Sequence, residues 1–194
     1  ILYTLKSAFS DENVKVRSAI QPGIISEACG ISYSQFTLPE NVSLKGDPFQ
    51  VGADQNKVHT WMELITPGTA KVLAWYDHPV WNKYAAITQN EYGKGTATYV
   101  GCVTSSAITA KVIRNVLEKA NLWGTDQQIA WPVVVKSGIN QNGKTIHYLF
   151  NYSAETSRQT YPYKTGKELL DNKPVESNAV LELEPWGVKI IEEN

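Results

Sequence analysis

Most of the first hundred residues are short clusters of β-branched and aromatic side chains, broken every few positions by Gly, Pro, Asn or Ser. Residues 1–5 form an apolar run that predicts a strand, and the Lys6-Ser-Ala-Phe-Ser-Asp-Glu-Asn13 that follows is polar loop material. Pro22 suits the first turn of a short helix through Ile24, Ile25 and Ala28, with Gly30 placed where a left-handed cap would end it. Residues 31–37, 42–44 and 58–65 predict further strands around a polar linker at 45–57. Residues 70–76 read as another. Residues 84–88 and 95–100 flank the turn-prone Asn90-Glu-Tyr-Gly-Lys-Gly95 and predict a hairpin.

From Ser105 the period changes to about 3.6, with Ile108, Val112, Val116 and Leu117 on one stripe and Lys111, Arg114, Glu118 and Lys119 elsewhere. This predicts one long helix. After Asn121-Leu-Trp-Gly124 the rhythm returns to short strands: residues 131–136 and 144–151 enclose Asn140-Gln-Asn-Gly143, a hairpin signal. Residues 167–170, 180–183 and 188–191 continue the pattern, which predicts a small antiparallel sheet or sandwich without helices. A domain boundary is expected near residue 129. Together the two parts predict an α/β segment, residues 1–128, followed by an all-β antiparallel domain, residues 129–194.

Charge adds mainly exclusions. With 18 Lys plus Arg against 19 Asp plus Glu the net charge is -1, so no nucleic-acid or anionic-membrane partner is expected. No apolar run reaches the roughly 18 residues a membrane helix needs. Cys29 and Cys102 sit in apolar settings and read as buried free thiols, which leaves the redox compartment open. The chain starts without Met on what already reads as a buried strand, so more of a domain is expected upstream of Ile1.

Few residues suggest chemistry. His59, His78 and His147 each stand alone and no Cys-x-x-Cys exists, so no metal site and no cofactor are expected. Gly-x-Ser-x-Gly and phosphate-loop fingerprints are missing. Glu27, Glu63, Asp77 and Glu91 lie in or beside predicted elements, but glycoside hydrolysis needs two carboxyl groups facing one bond, and the chain is shorter than the roughly 250 residues of a barrel that would present them. No catalytic residue is assigned. The stretch Trp75-Tyr-Asp-His-Pro-Val-Trp-Asn-Lys-Tyr84 is the one rich mixture of aromatic and polar groups. Trp75, His78 and Trp81 are its substrate-binding candidates, as sugar platforms, against a plainer role in core or subunit-interface packing.

Several of these segments, in this order, resemble one family. Lys6-Ser-Ala-Phe-Ser-Asp-Glu-Asn13, Gln21-Pro-Gly-Ile-Ile-Ser-Glu-Ala-Cys-Gly-Ile-Ser-Tyr33, Val72-Leu-Ala-Trp-Tyr-Asp-His-Pro-Val-Trp81, Ala86-Ile-Thr-Gln-Asn-Glu-Tyr-Gly-Lys-Gly95 and Pro185-Trp-Gly-Val188 are similar to the C-terminal half of bacterial family 42 β-galactosidases. The resemblance implies an amidotransferase-like α/β domain that mediates homotrimer formation, then a terminal β domain. It further implies that a retaining, two-glutamate hydrolysis of terminal β-D-galactosides belongs to a (β/α)₈ barrel outside these residues. The chain's partners would then be that barrel and two further copies, with the galactoside met only through the barrel. A carbohydrate-binding module with Trp and Tyr platforms is the alternative, motivated by 6 Trp and 10 Tyr against 4 Phe.

Overall fold

The computed structural model describes residues 1–194, which divide into two compact units, Ile1–Ala120 and Asn121–Asn194. Strands dominate both. The first unit contains β1 (Leu2–Thr4), α1 (Ser26–Cys29), β2 (Ile31–Ser32), β3 (Phe36–Thr37), β4 (Ser43–Leu44), β5 (Val58–Glu63), β6 (Thr66–Pro67), β7 (Lys71–Asp77), β8 (Ala85–Tyr92), β9 (Gly95–Val100), β10 (Cys102–Thr104) and α2 (Ser106–Lys119). Its main sheet has the order β1-β9-β8-β7-β4, in which only β1 and β9 run parallel. A second sheet, β10-β5-β3, is antiparallel. With a single helix longer than four residues, the unit is strand-rich to a degree that the expected α/β pattern did not anticipate.

Strand β8 explains the layering. All six residues from Ala85 to Asn90 are buried, so both faces of the strand are covered and its sequence shows no alternation. On one side Leu44, Met62, Tyr76, Ile87, Ile108 and Val112 form a core that includes the apolar stripe of α2. On the other, Cys29, Ile31, Tyr33, Ile65, Ala85 and Tyr99 pack in the region of α1. Both thiols are free and buried, and burial pushes the Cys29 pKa up to about 11 and that of Cys102 to about 12.

The single strand expected over 31–37 is instead two short strands separated at Tyr33 to Gln35. Tyr33 leaves the ladder because its backbone N–H and C=O pair with the C=O and N–H of Gln21. That detour aims its ring inward.

The second unit holds β11 (Val133–Ile139), β12 (Thr145–Asn151), β13 (Ser157–Thr160), β14 (Gly166–Glu168), β15 (Pro174–Val175), β16 (Val180–Leu183) and β17 (Val188–Glu193). A five-stranded sheet, β11-β12-β17-β14-β15, and a two-stranded ribbon, β13-β16, are antiparallel throughout. They enclose Val133, Leu149, Tyr161, Leu183 and Ile191. The Asn140 carboxamide shapes the β11–β12 turn by accepting the N–H groups of Asn142 and Lys144, both at 2.9 Å.

Candidate functional site

The aromatic stretch after β7 is a folded turn. His78 Nδ1 accepts the backbone N–H groups of Val80 at 3.1 Å and Trp81 at 3.3 Å, so its lone pair is spent on the chain rather than offered to a ligand. The Trp81 ring lies near-parallel to His78, with centroids 6.1 Å apart, touches Tyr84, and packs against the first core. Trp75 stands on β7 itself and is 36% exposed. The turn brings His78 and Trp81 together, while the ring contacts of Trp81 run to His78 and Tyr84 rather than to Trp75.

Of the four carboxylates noted in the sequence, Glu27, Asp77 and Glu91 are exposed and Glu63 is fully buried. Glu63 Oε1 accepts the Lys6 backbone N–H at 2.8 Å and the Tyr33 hydroxyl at 3.0 Å, and Oε2 accepts the Tyr99 hydroxyl at 2.8 Å. Its backbone carbonyl accepts the Tyr76 hydroxyl at 2.9 Å. Four segments distant in sequence therefore converge on one residue: the loop after β1, the break between β2 and β3, β7 and β9. Burial raises the Glu63 pKa, and the hydrogen bonds from Lys6 and the two phenols partly offset that rise. Burial raises the three tyrosines in turn, assisted by the Glu63 charge. These partners are phenols and a peptide N–H, not a second carboxyl, so the hub lacks the paired acids that glycoside hydrolysis requires. Its chemistry suits holding the loop at Lys6 onto the core.

Sequence reasoning placed Glu63 among the carboxylates without distinguishing it. The available signal was a charge inside the apolar run Trp61-Met-Glu-Leu-Ile65, a position where an acid needs several donors to be tolerated. In the second unit the lone His147 is also satisfied internally: Nδ1 lies 2.8 Å from Ser137 Oγ, Nε2 lies 3.1 Å from Glu193 Oε1, and the ring stacks on Tyr163 at 3.7 Å. His59 is exposed on β5.

The chain is thus strand-dominated, with several sheets distributed over two units and a buried carboxylate hub in the first. Residues 1–123 match the beta-galactosidase trimerisation domain and residues 142–193 the beta-galactosidase C-terminal domain. The chain belongs to the glycoside hydrolase family 42 β-galactosidases. Curated relatives include the beta-galactosidase BgaA of Clostridium cellulovorans, 27% identical over 132 residues (68% of this chain, 19% of the relative). The beta-galactosidase LacZ of Heyndrickxia coagulans is 25% identical over 193 residues (96% and 27%). Among solved structures, the beta-galactosidase from Bacillus circulans sp. alkalophilus superposes with a TM-score of 0.81 at 20% identity, covering 100% of this chain and 29% of that one. A catalytic mutant of Gan42B, a GH42 beta-galactosidase from G. stearothermophilus, gives 0.79 at 16% identity, covering 99% and 27%. The chain thus spans between 19% and 27% of these two curated relatives.

Proposed function

We propose that this chain is the non-catalytic scaffold of a retaining β-galactosidase, in which residues 1–128 are the latter part of an α/β trimerisation domain and residues 129–194 the terminal antiparallel β domain. The two-glutamate hydrolysis of terminal β-D-galactosides belongs to a (β/α)₈ barrel elsewhere in the parent chain. The observation that carries this reading is the order of the two matches, trimerisation domain then C-terminal domain, over a chain about a quarter the length of its relatives. The parallel pairing of β1 with β9 supports a remnant of a parallel sheet. The partners in the assembled enzyme are the barrel and two further copies of the chain. Assayed alone with nitrophenyl β-galactoside, the 194-residue chain is expected to give no turnover above background; rates comparable with a complete enzyme would overturn the proposal.

The carbohydrate-binding alternative has one favourable surface. In the second unit Trp131 is 74% exposed and stacks on the half-exposed Tyr152, centroids 6.3 Å apart and planes 13° from parallel. Galactose binding abolished by Trp131→Ala would support that reading.

A further inference from the structure

In the second unit a chain of hydrogen bonds runs from β17 to the segment ahead of β11, and His147 stands in the middle of it. His147 lies on β12 and is 3% exposed. Its Nε2 is 3.1 Å from Glu193 Oε1 on β17, and its Nδ1 is 2.8 Å from Ser137 Oγ on β11. Ser137 Oγ is in turn 3.1 Å and 3.3 Å from Oδ2 and Oδ1 of Asp126, which opens the single-turn 3₁₀ helix Asp126–Gln128. Asp126 Oδ1 also accepts the Tyr163 hydroxyl at 2.7 Å, and the Tyr163 ring stacks on the imidazole at 3.7 Å.

The protons along this chain can be counted. Glu193 only accepts, so one proton of the ring is committed to it at Nε2. Asp126 only accepts as well, and one of its donors is fixed: burial raises the Tyr163 pKa and keeps that phenol protonated. Ser137 has a single proton to give. While His147 is neutral, Nδ1 and Asp126 both claim that proton, and the shorter contact, 2.8 Å, belongs to the ring. The serine oxygen then faces Asp126 with lone pairs on both sides. Once His147 is protonated, Nδ1–H donates to Ser137 Oγ, the serine hydroxyl turns to Asp126, and every contact in the chain holds one proton.

The other titratable groups around the ring leave this count unchanged. Tyr161 meets the imidazole edge-on at 6.1 Å, and burial lifts its pKa to about 12, so it also stays protonated. The Lys164 ammonium pairs with the second oxygen of Glu193 at 4.0 Å, and the Lys164 backbone N–H donates to Oε1 at 3.4 Å. Ser137 is exposed, so its hydroxyl connects the buried ring with water, the source of the extra proton.

We infer that His147, Ser137 and Asp126 form a proton-operated latch on the segment that leads into β11. The protonated ring turns the Ser137 hydroxyl onto Asp126 and fastens the 3₁₀ turn; the neutral ring takes the hydroxyl back and leaves Asp126 to Tyr163 alone. One proton and one hydroxyl rotor change place, and no strand has to move. The latch lies wholly within the second unit and does not depend on where hydrolysis takes place.

The test is NMR on the 194-residue chain between pH 5 and 8, the range in which imidazoles change charge. The ¹⁵N shifts of the His147 ring report its charge. Hydrogen exchange at Gln128 and Ile129, whose N–H groups donate to Thr125 O and Asp126 O, reports the turn. As the ring loses its proton, exchange at these two amides is expected to quicken roughly tenfold beyond its intrinsic pH dependence, the equivalent of one lost hydrogen bond. In Ser137→Ala, an exposed substitution, the ring should still titrate while the two amides stop following it. Tyr163→Phe removes the fixed donor, keeps the serine relay, and should leave the coupling in place. A ring held in one charge state throughout this range, amides indifferent to its charge in the wild type, or amides that still follow it in Ser137→Ala would each overturn the inference.

Discussion

Glu63 shows how much a single residue can organise. Its two carboxylate oxygens take three donors from three segments, and its backbone carbonyl takes a fourth. Removing the acceptor while keeping the bulk, as in Glu63→Leu, strands a peptide N–H and two phenols in the core and is expected to cost at least about 3 kcal/mol. The pH dependence has a definite sign. The folded pKa lies above the unfolded carboxylate value of 4.5, so the folded state binds the proton more tightly. The stability contributed by that proton is fully present below pH 4.5 and is lost as pH rises through the folded value. Glu63→Gln cannot ionise. Urea melts from acid to neutral pH should therefore show wild type losing stability relative to Glu63→Gln, and a difference that moves the other way would contradict the buried-acid reading. The sequence displayed the charge in its apolar strand, but Tyr33 and Tyr99, 30 and 36 residues away, became its partners only through sheet register.

Among the elements, those with local signals were the legible ones. Ser105 caps α2 by accepting the Ile108 N–H at 3.3 Å, and of the anticipated stripe Ile108 and Val112 are buried while Val116 and Leu117 are half-buried. Gly30 adopts the left-handed cap of α1 at φ +63°. Its second role was hidden: a Cβ there would collide with the Thr69 hydroxyl, the Asn90 side chain and the Ala70 backbone, while Gly30 O accepts the N–H groups of Gly68 at 2.8 Å and Ala70 at 3.2 Å. Ser105→Ala, which loses one exposed-end cap, is expected to cost about 1 kcal/mol. Gly30→Ala adds steric collision to the cost of the positive φ and should cost distinctly more in the same thermal or urea melts. Equal losses would mean that the neighbours of Gly30 give way easily. Strand β8 was legible as a strand, but its burial on both faces was not, since that depends on what packs over it.

At the scale of the whole molecule, the edges of the first unit bear on assembly. Strands β1 and β4 end the main sheet of the first unit, and Val14 and Ile24 of that unit are 82% and 76% exposed. Unpaired edge strands and exposed apolar side chains favour association with further chains. Sedimentation velocity is expected to show concentration-dependent self-association at tens of micromolar or above, weakened by Ile24→Lys. A compact monomer at every concentration would count against the trimerisation reading.

The sequence alone determined the alternation of strand and turn, the long helix with its cap and stripe, the hairpins at Gly93 and Gly143, and the family, because these are written in neighbouring residues or in the order of short segments. Tertiary structure alone decided that Tyr33, Tyr99 and Lys6 meet at Glu63, and that His78 spends its lone pair on its own turn. The first set depends on local backbone preference. The second depends on which distant segments the register and layering of the sheets bring within hydrogen-bond distance, and no local pattern encodes that distance.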